Sequence, residues 1–314
     1  MSAKISTNGR SNLPPGLRVA RVAFRLLEPL APGLAARQLD RIWFRLPTVP
    51  ERARRLRVEL PEPTPFEVTF EGRTIRGSTW GEGPTVYLVH GWGGWGLQLA
   101  AFVPPLLATG FRVVAYDGPS HGESDPGRDG PGRGTLPELA DALLAVTAAQ
   151  GPAYGVIAHS FGAAAVSQAL LHGLSARRVV FLAAATDFRH MLDQFQATFG
   201  FGPRTRSRFL RRFTRRFGRT MDTFEVVSVI DEVLEERELP ALLAIHDKGD
   251  RETPYQGTVA LAAAWAGAAF ELTEGLGHRR VLWEPAVVAA VRSYLAADRA
   301  PDDTGRVGRE TMRA

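Results

Sequence analysis

After the Pro-rich segment 61–65, apolar positions gather in short unbroken runs: TVYLVH, RVVAYD, YGVIAH, RVVFLAA, ALLAIHD and AFELTE. Runs of this kind, rich in Val, Ile, Leu and Ala, predict strands that are buried on both faces. Helix-length segments at 97–108, 135–149, 161–173 and 254–266 separate most of them, and 280–297 follows the last. FEVTF and TIRGSTW, joined at Glu71-Gly72, read as an antiparallel pair ahead of this series. Strands alternating with helices predict an α/β fold whose central sheet is mostly parallel and covered by helices on both faces.

Two stretches have helical periods instead. From Leu17 to Leu30, Arg18, Arg21 and Arg25 share one helical face and apolar residues fill the rest. Pro32-Gly33 breaks this helix, and LAARQLDRIWFRLP reads as a second, ending at Pro47. A helical arm packed on the main domain and a membrane-surface or dimerisation arm both fit the pattern. Some fifty residues, 187–239, separate two strands with helical patterns of their own, which predicts an inserted cap rather than a loop. Within it, Phe209, Leu210, Phe213 and Phe217 fall within about 100° on a helical wheel. Arginines 208, 211, 212, 215, 216 and 219 take the other side. A solvated lid helix accounts for this, as does an Arg face that recruits anionic lipid or an acidic partner. Nucleic acid is not expected, because amphipathic burial explains the interleaved Phe.

The expected organisation is a disordered leader and helical arm over 1–60, a core over 61–186 and 240–297, a helical cap over 187–239 and a disordered tail over 298–314. At 314 residues and 45% hydrophobic, the chain can bury a large core. It has no Cys, which excludes disulfides, thiolate nucleophiles and cysteine metal sites. Thirty-six of its 38 basic residues are arginine, with a net charge of +5. No apolar run approaches the roughly 20 residues that spanning needs. The leader LRVARVAFRLLEPL is broken by its arginines where a signal peptide is uncharged. A cytoplasmic location is therefore expected.

The polar residues that could do chemistry follow strands: His90, Asp117, Ser160, Asp250 and His278. In parallel sheets that end is where ligands gather. In YGVIAHSFGAAAV, Ser160 leaves its strand directly and starts a helix, a turn that exposes a side chain and needs small neighbours. A serine hydroxyl becomes a nucleophile when a base takes its proton and a carboxylate orients that base. AIHDKGDRETP supplies acids after one strand and EGLGHRRVLWEP a histidine after the next. Asp250 fits best; Asp247 and Asp187 are its rivals. No metal-ligand spacing, P-loop or dinucleotide glycine pattern is present.

From about residue 65 to 297 the chain resembles the α/β-hydrolase superfamily, with the cap at the family's usual insertion point. HGWGGW resembles its oxyanion loop, YDGPSHGES the loop closing the next strand, AHSFG the nucleophile elbow, and DKGDRETP and GLGH the acid and histidine segments. Ala158 departs from the elbow, where a glycine is usual. The resemblance implies Ser160 as nucleophile, His278 as general base and Asp250 as orienting acid, with backbone N–H groups of Trp92 and Phe161 as the oxyanion hole. His90, His121 and Asp117 then read as loop-shaping residues, His159 as a neighbour packed at the elbow, and His246 as structural. His172 and His190 read as surface or packing residues. Trp92, Trp95 and Phe161 suggest an apolar acyl pocket. The implied activity is hydrolysis of a carboxylic ester or related acyl bond of a small apolar substrate, with no cofactor or metal. Thioesterase, acyltransferase and carbon–carbon hydrolase use the same residues, and a non-catalytic binding protein could share the scaffold.

Overall fold

A computed structural model describes residues 15–49, 54–55 and 58–297. The leader and tail expected to be disordered lie outside the described residues, apart from Pro15 onward. In chain order the elements begin with α1 (Pro15–Leu30), α2 (Pro32–Trp43), β1 (Thr64–Phe70), β2 (Arg73–Trp80) and β3 (Thr85–Val89). A 3-10 segment, Gly96–Phe102, leads into α3 (Val103–Leu107), β4 (Arg112–Tyr116), α4 (Leu136–Gln150), β5 (Ala153–His159) and α5 (Phe161–Leu171). Then come β6 (Ala176–Leu182), α6 (Phe188–Phe199), α7 (Pro203–Phe217) and α8 (Val226–Glu236). The chain closes with β7 (Ala241–Asp247), α9 (Tyr255–Ala264), β8 (Ala269–Thr273), α10 (Gly277–Arg280) and α11 (Pro285–Ala296).

These elements form two compact units. The larger, residues 44–187 with 222 onward, holds one eight-stranded sheet in the order β1-β2-β4-β3-β5-β6-β7-β8. β2 runs antiparallel to both β1 and β4, and all other neighbours are parallel. β3 is buried along its whole length and β4 to β7 nearly so, as continuous apolar runs require when helices cover both faces. In two of the expected helices, proline moves the boundaries. Pro104 and Pro105 lack N–H donors, so 97–108 divides into a 3-10 stretch and a five-residue helix that starts at Val103. Pro285 can begin a helix but not continue one, so the helix expected over 280–297 starts only at Pro285, as α11, after the short α10 has ended at Arg280.

The smaller unit joins α1 and α2 with α6 and α7, residues 188–221. Its core is aromatic. Phe24 packs against Phe199 and Phe201, and Trp43 against Phe195 and Phe209. Helix ends are closed by side chains from α1. Arg21 donates to the carbonyls of Ala197 and Thr198, both at 2.9 Å, at the negative end of α6. Glu28 accepts from the backbone N–H groups of Gly202, Arg204 and Thr205 and from the Thr205 hydroxyl, at the start of α7. Burial pushes the Glu28 carboxyl up, but these donors outweigh it and hold it below its usual value. α2 ends at Trp43, ahead of Pro47, because Arg45 pairs with Arg133 in an isolated bridge. In α7, Phe209 and Phe213 are buried while Arg208, Arg211, Arg215 and Arg216 are exposed. Among the described residues, no helix is long and apolar enough to cross a membrane.

Candidate active site

Ser160 joins β5 to α5 with φ 53 and ψ −121. A non-glycine residue at positive φ costs about 1–3 kcal/mol and persists only where its surroundings fix it. Three backbone hydrogen bonds do so: Ser160 N–H to Leu182 O, and Ala163 and Ala185 N–H to Ser160 O. The turn also needs a close approach of strand and helix. A Cβ at Gly162 would stand 2.7 Å from the carbonyl oxygens of Val89 and His90, so glycine is required there. Ala158 sits in extended β5, fully buried and in register between Val89 and Phe181, where a methyl is accommodated.

His278 reaches this serine from α10. Its Nε2 lies 2.9 Å from Ser160 Oγ, and its Nδ1 lies 2.7 Å from Asp250 Oδ2. A carboxylate at Nδ1 demands an N–H there, which leaves the Nε2 lone pair facing the hydroxyl. Asp250 follows β7, and its side chain is fully buried. Burial alone would raise its pKa; hydrogen bonds from His246 and His278, then the His278 charge and the Thr253 N–H, hold it far below the usual carboxylate range. Asp250 is therefore an anion at neutral pH. The three residues singled out in the sequence thus meet in one hydrogen-bonded chain.

The rivals are placed elsewhere. Asp247 accepts from Gly249 N–H, Leu276 N–H and Thr273 Oγ1, each at 2.9 Å, and so ties the end of β7 to the loop ahead of His278. Asp187 is exposed, and the His278 ring has Asp250, Ser160 and Thr253 as its hydrogen-bond partners instead.

The loop after β3 lies against the serine. A Cβ at Gly91 would come within 3.0 Å of Ser160 Cβ, and the Trp92 ring packs on Phe161 at 4.9 Å. Two imidazoles hold this loop. His90 Nδ1–H donates to Gly91 O at 2.8 Å, while its Nε2 accepts from Gly118 N–H at 2.9 Å. His121 Nδ1–H donates to Pro119 O, and its Nε2 accepts from Gly93 N–H at 3.1 Å. Both rings must be neutral to accept at Nε2, and burial pushes both down, His121 to about 3. Asp117 accepts from Gly96 N–H at 2.7 Å and Glu123 N–H at 2.8 Å.

Two histidines lie closer to this hydrogen-bonded chain than their sequence positions indicated. His159 donates Nε2–H to the His278 carbonyl at 2.9 Å, and the rings stand 4.7 Å apart. Burial, then the neighbouring His278 charge, lowers its pKa to about 3. His246, buried at the end of β7, points Nε2 at both Asp250 Oδ2 and Thr253 O, each at 3.1 Å, and its Nδ1 meets Thr258 Oγ1 at 2.6 Å. Two acceptors at Nε2 place its proton there, so His246 donates to the same oxygen as His278. Thr253 Oγ1 lies 3.0 Å from that oxygen too. The spacing in IHDKGD was the available signal for His246, but a strand-end histidine carries no mark of which way it points.

Beside this site lies a cavity of about 280 Å³ in the larger unit, whose lining includes Trp92, Gly93, Trp95, Leu282, Trp283 and Arg279. Phe161 packs on Trp92 but does not line it. Among the described residues, no cluster of His, Asp and Glu could hold a metal ion.

The sequence pattern of the alpha/beta hydrolase family matches residues 86–291. The chain belongs to this family. Solved structures of α/β-hydrolases share its fold at low identity. An esterase from Exiguobacterium antarcticum is 18% identical with a TM-score of 0.54, covering 73% of this chain and 98% of its own. A thermophilic esterase from Thermogutta terrifontis is likewise 18% identical, with a TM-score of 0.54 and coverage of 76% and 99%. A meta-cleavage product hydrolase from Pseudomonas fluorescens IP01 is 17% identical, with a TM-score of 0.55 and coverage of 74% and 98%. No curated protein matches the sequence. The chain is a hydrolase by family, and what bond it cleaves must be argued from the site.

Proposed function

We propose that this α/β-hydrolase is a serine hydrolase that cleaves a carboxylic ester or related acyl bond through an acyl-enzyme on Ser160. The observation that carries the reading is His278 bridging Ser160 Oγ and Asp250 Oδ2 at 2.9 and 2.7 Å. His278 Nε2 takes the hydroxyl proton as Oγ attacks the carbonyl carbon. The oxyanion that forms is received by the backbone N–H groups of Trp92 and Phe161, and each such donor is worth roughly a hundredfold or more in rate. Imidazolium then protonates the leaving alkoxide. Water enters, His278 accepts its proton, hydroxide attacks the acyl carbon, and the acid departs with Ser160 restored. Asp250 stays ionised throughout and stabilises the imidazolium.

The aromatic cavity supports a small apolar substrate. At about 280 Å³ it lies near the lower end of ligand pockets, roughly 300–1,000 Å³. Its walls include Gly93, adjacent to Trp92, and Arg279, adjacent to His278, so a group attached at the reacting carbonyl has space beside it. A fluorophosphonate probe tests the mechanism. It should label the native protein and not Ser160→Ala; a well-folded native protein that never labels would favour a binding protein on this scaffold. A chain-length panel of p-nitrophenyl esters tests the substrate class, and negligible turnover across the panel despite labelling would rule out simple esters.

A further inference from the structure

We propose that the smaller unit docks on an anionic lipid surface through α1, independently of the chemistry assigned to Ser160. Among the described residues, five of the eight exposed large hydrophobic side chains lie on α1 and the start of α2: Val19, Val22, Leu26, Leu30 and Leu34, at 50–82% exposure. Isolated exposed leucines are ordinary on protein surfaces. These are not isolated. At 100° per residue, the four on α1 fall within an arc of about 80°, a continuous ridge along the helix.

The ridge has a cationic border. Arg18 and Arg25 stand on the wheel beside Val22. On the other flank an open apolar groove between α1 and α2 is lined by Ala23, Leu27 and Ile42 together with Arg37 and Arg41. An apolar ridge bordered by arginines is the pattern of a helix lying in the plane of a membrane interface. The long-range charge agrees with this. Residues 15–43 and 188–221 contain fourteen arginines and three carboxylates, a net +11, whereas the whole chain nets +5, so the remainder is negative. One of those carboxylates, Glu28, is already occupied with the start of α7. α7 adds exposed arginines at 204, 208, 211, 215 and 216.

The charge also decides against the main rival occupant. A second copy seated on this ridge would bring two surfaces of the same high positive charge together, whereas phosphate headgroups neutralise it. Nucleic acid would satisfy the arginines and leave the leucines in water.

The test uses the full-length chain with sealed vesicles of phosphatidylcholine, with and without phosphatidylglycerol. Co-sedimentation should occur with the anionic vesicles, weaken steeply as salt is raised, and be negligible with phosphatidylcholine alone. Arg211→Gln with Arg215→Gln should lower partitioning roughly 25-fold at low salt, at about fivefold per charge. Leu26→Glu with Leu30→Glu should abolish binding while thermal unfolding stays at the native temperature. Because the chain has no Cys, Leu30→Cys can carry a single environment-sensitive dye, whose emission should shift to the blue on anionic vesicles. Equal binding to both vesicle types, or a dye that remains in water when the protein sediments, would overturn the proposal. So would a native dimer in sedimentation equilibrium that Leu26→Glu with Leu30→Glu converts to monomer, since the ridge would then belong to a second copy.

Discussion

Replacing His246 by leucine should slow catalysis without changing substrate binding. In the native site Asp250 Oδ2 receives His278 at 2.7 Å, Thr253 Oγ1 at 3.0 Å and His246 at 3.1 Å, and Oδ1 receives the N–H groups of Glu252 and Thr253. His246→Leu removes one donor from a fully buried anion and leaves Thr258 Oγ1 without its ring partner. A hydrogen bond to a charged group is worth about 1.5–3 kcal/mol. If that stabilisation holds Asp250 in line with His278 as imidazolium forms, kcat falls between roughly tenfold and a hundredfold. KM should change less than about twofold, because His246 does not line the aromatic cavity.

The assay is steady-state hydrolysis of a short p-nitrophenyl ester, normalised to active sites counted by fluorophosphonate titration, so that misfolded protein is not scored as slow enzyme. His246→Gln retains an amide N–H that can aim at Oδ2 and should recover part of the loss. A kcat within about twofold of native in folded His246→Leu would refute the positioning role and leave His246 as packing alone. Equal losses in the Leu and Gln variants would refute the donor argument, because size rather than the N–H would then control the effect.

Three further outcomes follow from the same geometry. Gly162→Ala should cost about 1–3 kcal/mol in urea unfolding and lower kcat roughly a hundredfold, because its methyl meets two backbone oxygens at 2.7 Å that cannot turn aside. Ala158→Gly, which restores the usual elbow residue, should leave kcat unchanged and cost about 0.5–1 kcal/mol; a faster variant would mean that the methyl distorts the turn. The Asp250 carboxyl is held below its ordinary value, so it binds its proton at lower pH in the folded chain than in the unfolded one. Its stabilising contribution is therefore complete above about pH 4–5 and is lost as pH falls below the unfolded value of about 3.9. Asp250→Asn should flatten that acid limb of the unfolding free energy, and an unchanged pH slope would contradict it.

The sheet and the elbow were legible because their signals are local. Continuous apolar runs state that a strand is buried on both faces, and a serine set directly between such a run and a row of alanines states a tight turn. Asp250 and His278 were legible through chain order after successive strands, although order alone does not bring side chains together. The tolerance for Ala158 could not be read in the same way, since it depends on how β3 and β6 pack beside β5. Orientation was the hidden quantity for His246. Its ring points to an acid four residues on because the Asp247–Asp250 turn, closed by the Asp250 N–H to Asp247 carbonyl bond, folds the chain back beneath β7. The partnership of α1 and α2 with α6 and α7 was hidden for another reason. It joins segments some 150 residues apart through an aromatic core and a Glu28 cap, and neither leaves a periodic trace in either segment alone.

Five imidazoles are buried in the larger unit, and their hydrogen bonds sort them by role. His90 gives its N–H to the carbonyl of Gly91, His121 to that of Pro119 and His159 to that of His278. Burial depresses all three, so they remain neutral, and His90 and His121 each also accept a backbone N–H, from Gly118 and Gly93. His246 gives its N–H to the buried carboxylate and has a threonine hydroxyl at its other nitrogen. His278 alone stands between a carboxylate and the hydroxyl of a residue on a strained turn, so among these five it is the ring whose Nε2 can exchange a proton with a reacting group while its Nδ1–H stays on the anion behind it. Histidine count or spacing cannot make that distinction. It follows from which ring has an anion behind it and a nucleophile in front, and the other four act by fixing the backbone and carboxylate that give His278 this position.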